Sequence, residues 1–278
     1  MPGKVYLVGA GPGDPELLTR KAWRVLQSAD IILHDDLVSQ EILRVLPITA
    51  QIVNVGKRCG AKGISQAEIN RQMVERAREG KIVARLKSGD PLLFGRAGEE
   101  MEALRRANVE FDVIPGVTAA LGAAAAAQIS LTDRRHASRV VFVTAHRSDG
   151  LRLRSNSLGL ADERCEPDNS TYVIYMPGFS YGELSAELQA EGFPGDIPCA
   201  VISRATTKDE TIYRTTVGKL EQCPVAAAPA LVIVGTVVAD STNEETSKGQ
   251  LSGELNPEVL ELALQHPYFH SSRGSGVE

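Results

Sequence analysis

Strand-like apolar runs alternate with segments of helical periodicity along most of this chain, and that alternation limits the possible folds more than any other feature. KVYLV (4–8) precedes a helical stretch in which Leu18, Ala22, Val25 and Leu26 share one face. Asp14 is a suitable N-cap and Pro15 a suitable first residue for that helix. ADIILHD (29–35), a helix near 39–45 and the strand IVNVG (52–56) follow. SQAEINRQMVERAREG (65–80) starts on a capping box, Ser65 with Glu68, and runs into the strand KIVARLK (81–87). A helix over 95–108 and the strand FDVIPG (111–116) complete one unit. A second opens with a helix near Thr118 and continues through strands at 139–145, 170–176, 198–203 and 229–238. Between these lie a helix over 181–192 and a strand-then-helix segment over 211–223. The pattern predicts two α/β domains, 1–115 and 116–240, joined near 115–118. A polar, partly disordered tail (241–278), with one short helix at 257–265, follows them.

The composition supports a globular reading and excludes several functions. Hydrophobic residues make up 43% and charged residues 23% of the 278, ample for a core. A formal net charge of -5 disfavours generic binding to nucleic acid or an anionic membrane. The N-terminal MPGKVYLVGAGPGD lacks the layout of a secretory signal, and AALGAAAAAQI (119–129) is too short to span a bilayer, so a cytoplasmic protein is expected. Cys59, Cys165, Cys199 and Cys223 form no CxxC pair, which favours free thiols over a disulfide framework or a metal site.

VGAGPGDPELLT (8–19) has the strand–glycine turn–helix form of a dinucleotide loop. Asp14, however, stands at the position of the fingerprint's third glycine, where its carboxylate opposes a pyrophosphate. A capped turn without a ligand, or a nucleoside-type ligand that lacks phosphates or carries positive charge, fits the loop better. RLKSGDPLLFGRAGEE (85–100) repeats the arrangement of strand, glycine-and-aspartate turn and helix.

With VGAGPGDPELLT, ADIILHDDLV, VGKR, SQAEIN, RLKSGDPLLFGRAGEE, IPGVTAA, ISLTDRR and PALVIVGTVV in this order, residues 5–239 resemble the uroporphyrinogen-III C-methyltransferases of the tetrapyrrole methylase superfamily. The resemblance implies a cleft between two α/β domains that holds S-adenosylmethionine as methyl donor, with no metal. It places donor contacts on Pro12, Ser88, Gly89, Asp90, Leu93, Thr118, Ala119, Met176, Ala205 and Ala230. The donor's sulfonium would favour a carboxylate such as Asp90, and glycines would let backbone approach the ligand. For Met176 and Ala230 core packing is an equal alternative.

By the same resemblance Asp35 in LHDDLV is the proton acceptor and Lys57 in VGKR the proton donor; Asp36 is the adjacent alternative, and the plainer reading is that either aspartate only caps the next helix. The substrate, a polycarboxylate tetrapyrrole, needs local positive charge, for which Arg58, Arg96, Arg134, Arg135 and Arg139, with His136, are candidates. Arg96, with Glu99 beside it, and Arg134 fit the family pattern best, and Arg96 is also a candidate base. Three positions depart from the pattern. Ser88 replaces a glycine. Ala205 in ATTKDE narrows the adenosine pocket unless its loop shifts. Asp133 stands where a histidine is common. The implied activity is methylation of uroporphyrinogen III at C2 and C7 to precorrin-2 by a homodimer. The alternatives are a precorrin methylase acting at another ring carbon, a nicotinamide-dependent oxidoreductase, and a non-catalytic protein that has kept the fold.

Overall fold

A computed structural model of the protein describes residues 3–56, 64–145 and 169–242. The first sheet contains β1 (Lys4–Gly9), β2 (Ile31–His34), β3 (Gln51–Asn54), β4 (Ile82–Lys87) and β5 (Phe111–Ile114), ordered β3-β2-β4-β1-β5. Every pair in it is parallel. Parallel strands need crossovers, and these lay helices on both faces. α1 (Arg20–Ser28) and α2 (Gln40–Arg44) cover Val8, Ile32, Ala84 and Leu86 on one side. α3 (Gln66–Arg78) and α4 (Ala97–Arg106) cover Val5, Leu7, Leu33 and Val83 on the other. Burial on both faces explains why the central strands read as apolar runs without polar alternation. It also makes the charged residues of KIVARLK exceptional.

The helix expected after Asp14 divides in two. Asp14 caps a 3-10 turn, Pro15–Leu17, accepting from the Glu16 amide at 2.8 Å. α1 begins only after Thr19, whose hydroxyl accepts from Ala22 at 3.1 Å. Ser65 caps α3 as expected, accepting from Glu68 at 3.1 Å.

The second sheet contains β6 (Arg139–Thr144), β7 (Ser170–Tyr175), β8 (Pro198–Ser203), β9 (Thr211–Thr216) and β10 (Ala230–Val234), ordered β6-β7-β10-β8-β9. Only β6 and β7 are parallel; β10 and β9 turn the remainder antiparallel. The loop 204–210 joins β8 to β9 and is too short for a crossover helix, so the two strands must pair as a hairpin. α5 (Ala119–Ala126) and α6 (Tyr181–Ala190) lie on opposite faces. After β9 the chain forms a 3-10 turn, Val217–Gln222, in place of the expected helix. Met1–Thr242 form one compact unit, and the tail with its expected helix lies outside the described residues. No helix among the described residues is long and apolar enough to cross a membrane.

Candidate active site

Because the first sheet is parallel, the motif loops after β1, β2, β4 and β5 all leave from one edge, the edge where ligands bind in open α/β sheets. Three of these loops lock together through backbone. Gly11 and Gly89 exchange hydrogen bonds, at 3.1 and 2.8 Å. A Cβ on Gly9 would stand 2.5 Å from the Gly116 nitrogen and 2.8 Å from the Gly89 carbonyl oxygen. Asp90 braces the same junction, its carboxylate accepting from Leu92 at 2.8 Å and from Gly116 at 3.0 Å. The glycines expected to admit a ligand to the backbone are thus used first to let the loops approach one another. Asp90, expected beside a sulfonium, ties two loops together.

These loops meet the second domain directly. A Cβ on Gly122 of α5 would meet the Pro12 ring at 2.5 Å, so Pro12 seats against this helix. Gly89 faces Ala119, whose nitrogen lies 3.3 Å from where a Gly89 Cβ would be. The Thr118 hydroxyl bonds to the Tyr175 hydroxyl at 2.6 Å, and the Ala120 amide donates to the same oxygen at 3.1 Å. Burial raises the Tyr175 pKa, keeping the phenol protonated at this junction. Cross-strand pairing brings Met176, Ala205 and Ala230 to one end of the second sheet, since Tyr175 faces Leu231 and Ser203 faces Ala230. Of seven non-glycine residues with positive φ among the described residues, five lie on these loops: Phe94, Arg96, Met176, Arg204 and Thr206. Such conformations cost on the order of 1–3 kcal/mol each and persist where a site over-determines them.

The first sheet also carries a buried charge cluster beneath its loop edge. Along β4, Val83, Arg85 and Lys87 point to the face under α3 and α4, as alternation requires. Arg85 is 2% exposed and donates to Asp35, to the carbonyls of Leu33 and Leu86, and at 3.0 Å to Glu100. Lys87 donates to the same Glu100 oxygen at 3.0 Å and lies 4.0 Å from Asp35. Glu100 is fully buried in α4, in the stripe with Ala97 and Leu104. Burial, and then the charge of Arg85, lowers the Lys87 pKa. A cavity of about 190 Å³ opens onto this cluster, lined by Asp35, Arg85, Lys87, Phe94, Arg96 and apolar side chains from Val55, Ile64 and Ile69. Phe94 joins the cavity to the loops at Thr118 and Met176, since its ring packs on Tyr175 with centroids 4.9 Å apart.

The Tetrapyrrole (Corrin/Porphyrin) Methylases family matches residues 4–221. The chain belongs to the tetrapyrrole methylases. It is 45% identical over 238 residues to a siroheme synthase of Actinobacillus pleuropneumoniae, covering 85% of this chain and 48% of that protein. The chain therefore spans about half the length of the siroheme synthases it matches. It is also 45% identical to an S-adenosyl-L-methionine-dependent uroporphyrinogen III methyltransferase of Methanosarcina barkeri, over 85% of this chain and 92% of that one. A solved uroporphyrin-III C-methyl transferase of Thermus thermophilus, complexed with S-adenyl homocysteine, superposes with a TM-score of 0.71 at 35% identity, covering 85% of this chain and 93% of that one.

Within this tetrapyrrole methylase the predicted residues fall into distinct groups. Asp35 is separated from Asp36 by its partners: Arg85 holds Asp35 at the cavity, whereas Asp36 accepts from Asn54 at 2.6 Å. Neither carboxylate caps α2; Ser39 does, accepting from Ile42 at 3.2 Å. Arg96 lines the cavity and pairs with Glu99 through two contacts of 2.7 Å. Glu99 pushes the Arg96 pKa up, so Arg96 remains a cation and is unsuited to act as a base. Lys57 and Arg58 lie outside the described residues, as do Cys59 and Cys165. Cys199 is buried, its thiol pushed up to about 12, and so is no nucleophile.

The loop around Ala205 is held by strained backbone and its own hydrogen bonds. Arg204 and Thr206 take left-handed φ of 48° and 67°, and the Thr206 amide donates to Glu210 at 2.8 Å. Its far side fills the space beside Gly13, where the Asp14 amide donates to Thr206 at 3.1 Å. Asp133 forms a tight turn with Arg135, holding it at 3.0 Å through each oxygen, and Arg135 lowers the Asp133 pKa to about 2. Arg135 is thereby neutralised, and Arg134 is exposed on the same turn ahead of β6. Among the described residues no hydrogen bond or ion pair ties Arg134 to Asp35 or Arg96. Arg139 bonds Ser170 at the start of β7, five residues before Tyr175, which is about 16 Å along the strand. A larger cavity, about 290 Å³, includes Pro12 alone of the expected donor contacts.

Sequence reading missed Arg85, Lys87, Glu100, Phe94 and Tyr175. The signal for the first three was present: two cations on one face of a buried strand, and a glutamate in the apolar stripe of α4.

Proposed function

We propose that the protein transfers methyl groups from S-adenosylmethionine to C2 and C7 of uroporphyrinogen III, giving precorrin-2 through precorrin-1. The observation that carries this reading is Phe94, which forms a shared wall between the Asp35 cavity and the loops at Tyr175, Thr118 and Gly89. In this reading a donor on those loops and a proton acceptor in the cavity both adjoin one aromatic ring. The residues fit the donor: exposed apolar faces of Phe94 and Met176 adjoin backbone that a nucleoside can meet. They do not fit a dinucleotide. Asp14 already takes the Glu16 amide and Thr19 the Ala22 amide, so the amides a pyrophosphate would use are filled by side chains. This favours the methyltransferase over a nicotinamide enzyme.

In this reading the donor supplies an electrophilic methyl, and the enamine-like pyrrole carbon attacks it in line. The protein's contribution is positioning and proton handling. Arg85 positions the Asp35 carboxylate to accept the proton lost from the methylated ring. Arg96 offers a guanidinium at the cavity rim to a substrate carboxylate, exchanging with Glu99. Lys57, Arg58 and Arg134 are proposed from the resemblance as proton donor and carboxylate contacts, with a homodimer as the working form. The test is to incubate the protein with S-adenosylmethionine and enzymatically generated uroporphyrinogen III and weigh the product. Two methyl additions are expected. Saturable NAD binding without binding of S-adenosylhomocysteine would overturn the assignment, and a single addition at another carbon would move it within the family.

A further inference from the structure

Resting on the function proposed above, we propose that Lys87 is the second carrier of the reaction's proton: Asp35 takes it from the methylated ring, and Lys87 takes it from Asp35 and releases it to solvent through the cavity. Asp35 must be an ionised carboxylate again before each further methyl transfer, and the cluster leaves few routes for that. Arg85 is a guanidinium, which does not release protons. Glu100 is fully buried, and one of its oxygens receives all three donors: Arg85 and Lys87 at 3.0 Å and Gln66 at 3.2 Å. Its other oxygen has no hydrogen-bond partner among the described residues. Glu100 therefore serves as an anchor. Lys87 lines the cavity, and its amine lies 4.0 Å from the free side of Asp35, beyond hydrogen-bond length but within reach of one side-chain rotation or one bridging water.

Passing the proton from Asp35 to Lys87 leaves the cluster's total charge at zero, with Arg85 a cation and Glu100 an anion throughout, and the ammonium it forms stands 3.0 Å from Glu100 and 4.0 Å from Asp35. Among the described residues, the other charges facing Lys87, Arg96 and Glu99 at the start of α4, cancel each other through their own pair; α3 contributes the neutral Gln66. The steps balance. Methyl transfer leaves a substrate cation and a neutral thioether. The ring's C–H bond breaks, its electron pair restores conjugation, and the proton binds Asp35. The Asp35 O–H bond then breaks as the lone pair of the neutral Lys87 amine takes the proton, and Lys87 passes it to water.

The test uses Lys87→Met, Lys87→Arg and Lys87→Ala in the full chain. Lys87→Met should lower kcat by about 100-fold at neutral pH with the donor KM almost unchanged. Lys87→Arg keeps the charge and the bond to Glu100 but cannot deprotonate, so it should be equally slow; a merely structural lysine would be rescued by arginine. Ethylamine should restore part of the turnover of Lys87→Ala, more at higher pH, because the vacated cavity admits it. Independently of activity, NMR of protein labelled at the lysine ε-carbons should show Lys87, assigned with Lys87→Arg, titrating below the surface lysines. Wild-type turnover in Lys87→Arg, or titration of Lys87 together with the surface lysines, would overturn the proposal. If the wild type itself methylates nothing, the function proposed above fails, and the NMR titration still decides whether Lys87 can hold a proton as described.

Discussion

Glu99 and Glu100 are neighbours in α4, and replacing each in turn by glutamine separates a buried charge anchor from a surface pair. Glu99 meets Arg96 with both side chains 53% exposed, a pairing worth about 0–1 kcal/mol. Glu100 has no exposure and compensates both Arg85 and Lys87. Glu100→Gln keeps the shape but removes the anion that both Arg85 and Lys87 meet, leaving Asp35 as the one carboxylate beside them. Breaking a buried pair costs about 3–5 kcal/mol. At ~2–4 °C per kcal/mol for a unit of this size, the melting temperature should fall by about 10 °C. Lys87 can partly relieve the loss by giving up its proton, so the difference between the two variants should shrink at alkaline pH. Calorimetry or urea unfolding of both variants at neutral and alkaline pH measures it. A loss below about 1 kcal/mol in Glu100→Gln, equal to that in Glu99→Gln, would refute the reasoning, because Glu100 would then not be compensating the buried cations.

Gly9→Ala would drive a methyl into backbone at 2.5–2.8 Å, with no flexible side chain to give way, and should cost about 3 kcal/mol by urea midpoint. Gly98→Ala, whose Cβ meets nothing within 4 Å on helix α4, should instead stabilise by about 0.5–1 kcal/mol. Lys87 is lowered from 10.5 on folding, so between its folded and unfolded values the unfolded chain binds more protons and stability rises with pH. The stability of wild type minus Lys87→Met should accordingly increase through that alkaline window; a flat difference contradicts the burial-driven shift. Arg96→Ala should lose turnover while keeping its calorimetric affinity for S-adenosylhomocysteine, because Arg96 faces the cavity at Asp35 and is not among the expected donor contacts.

The first domain was legible because each of its strands is followed by a helix with its own cap or stripe, and local rules suffice for that pattern. Ser65 and Glu68 announce α3, and the buried Ile69, Met73 and Ala77 confirm its face. The second sheet was less legible in its pairing. PCAVIS of β8 and TIYRTT of β9 read the same whether the strands run parallel or antiparallel, and the direction is set by the length of the loop between them. The glycine loops show a third limit. A sequence displays the absence of a Cβ but not what fills its place, and at Gly9 it is Gly116 and Gly89, not a ligand. Arg85 and Lys87 escaped for a related reason: in RLKSGD they read as the approach to a turn, and only the topology that puts β4 between β2 and β1 buries them.

The placement of that cluster links the two halves of the site mechanically. α4 presents Glu99 to Arg96 at the rim and, one residue on, Glu100 to Arg85 and Lys87 inside. The Arg96–Glu99 pair is local to the helix start and turns with it, so Glu100, through Arg85 and Lys87 of β4, is the carboxylate that holds the helix in register against the sheet. Its start is held by the left-handed Phe94 and Arg96, which sit outside the regular helix. A buried ion cluster contributes little net stability compared with an apolar replacement, because desolvation offsets its Coulomb energy. An apolar β4 and α4 would pack as well and leave Asp35 without Arg85. What the charges add is a fixed carboxylate at the cavity, with a neutralisable amine beside it and an aromatic wall against the donor loops. In the proposed reaction that combination serves proton removal after methyl transfer, which packing alone would not call for.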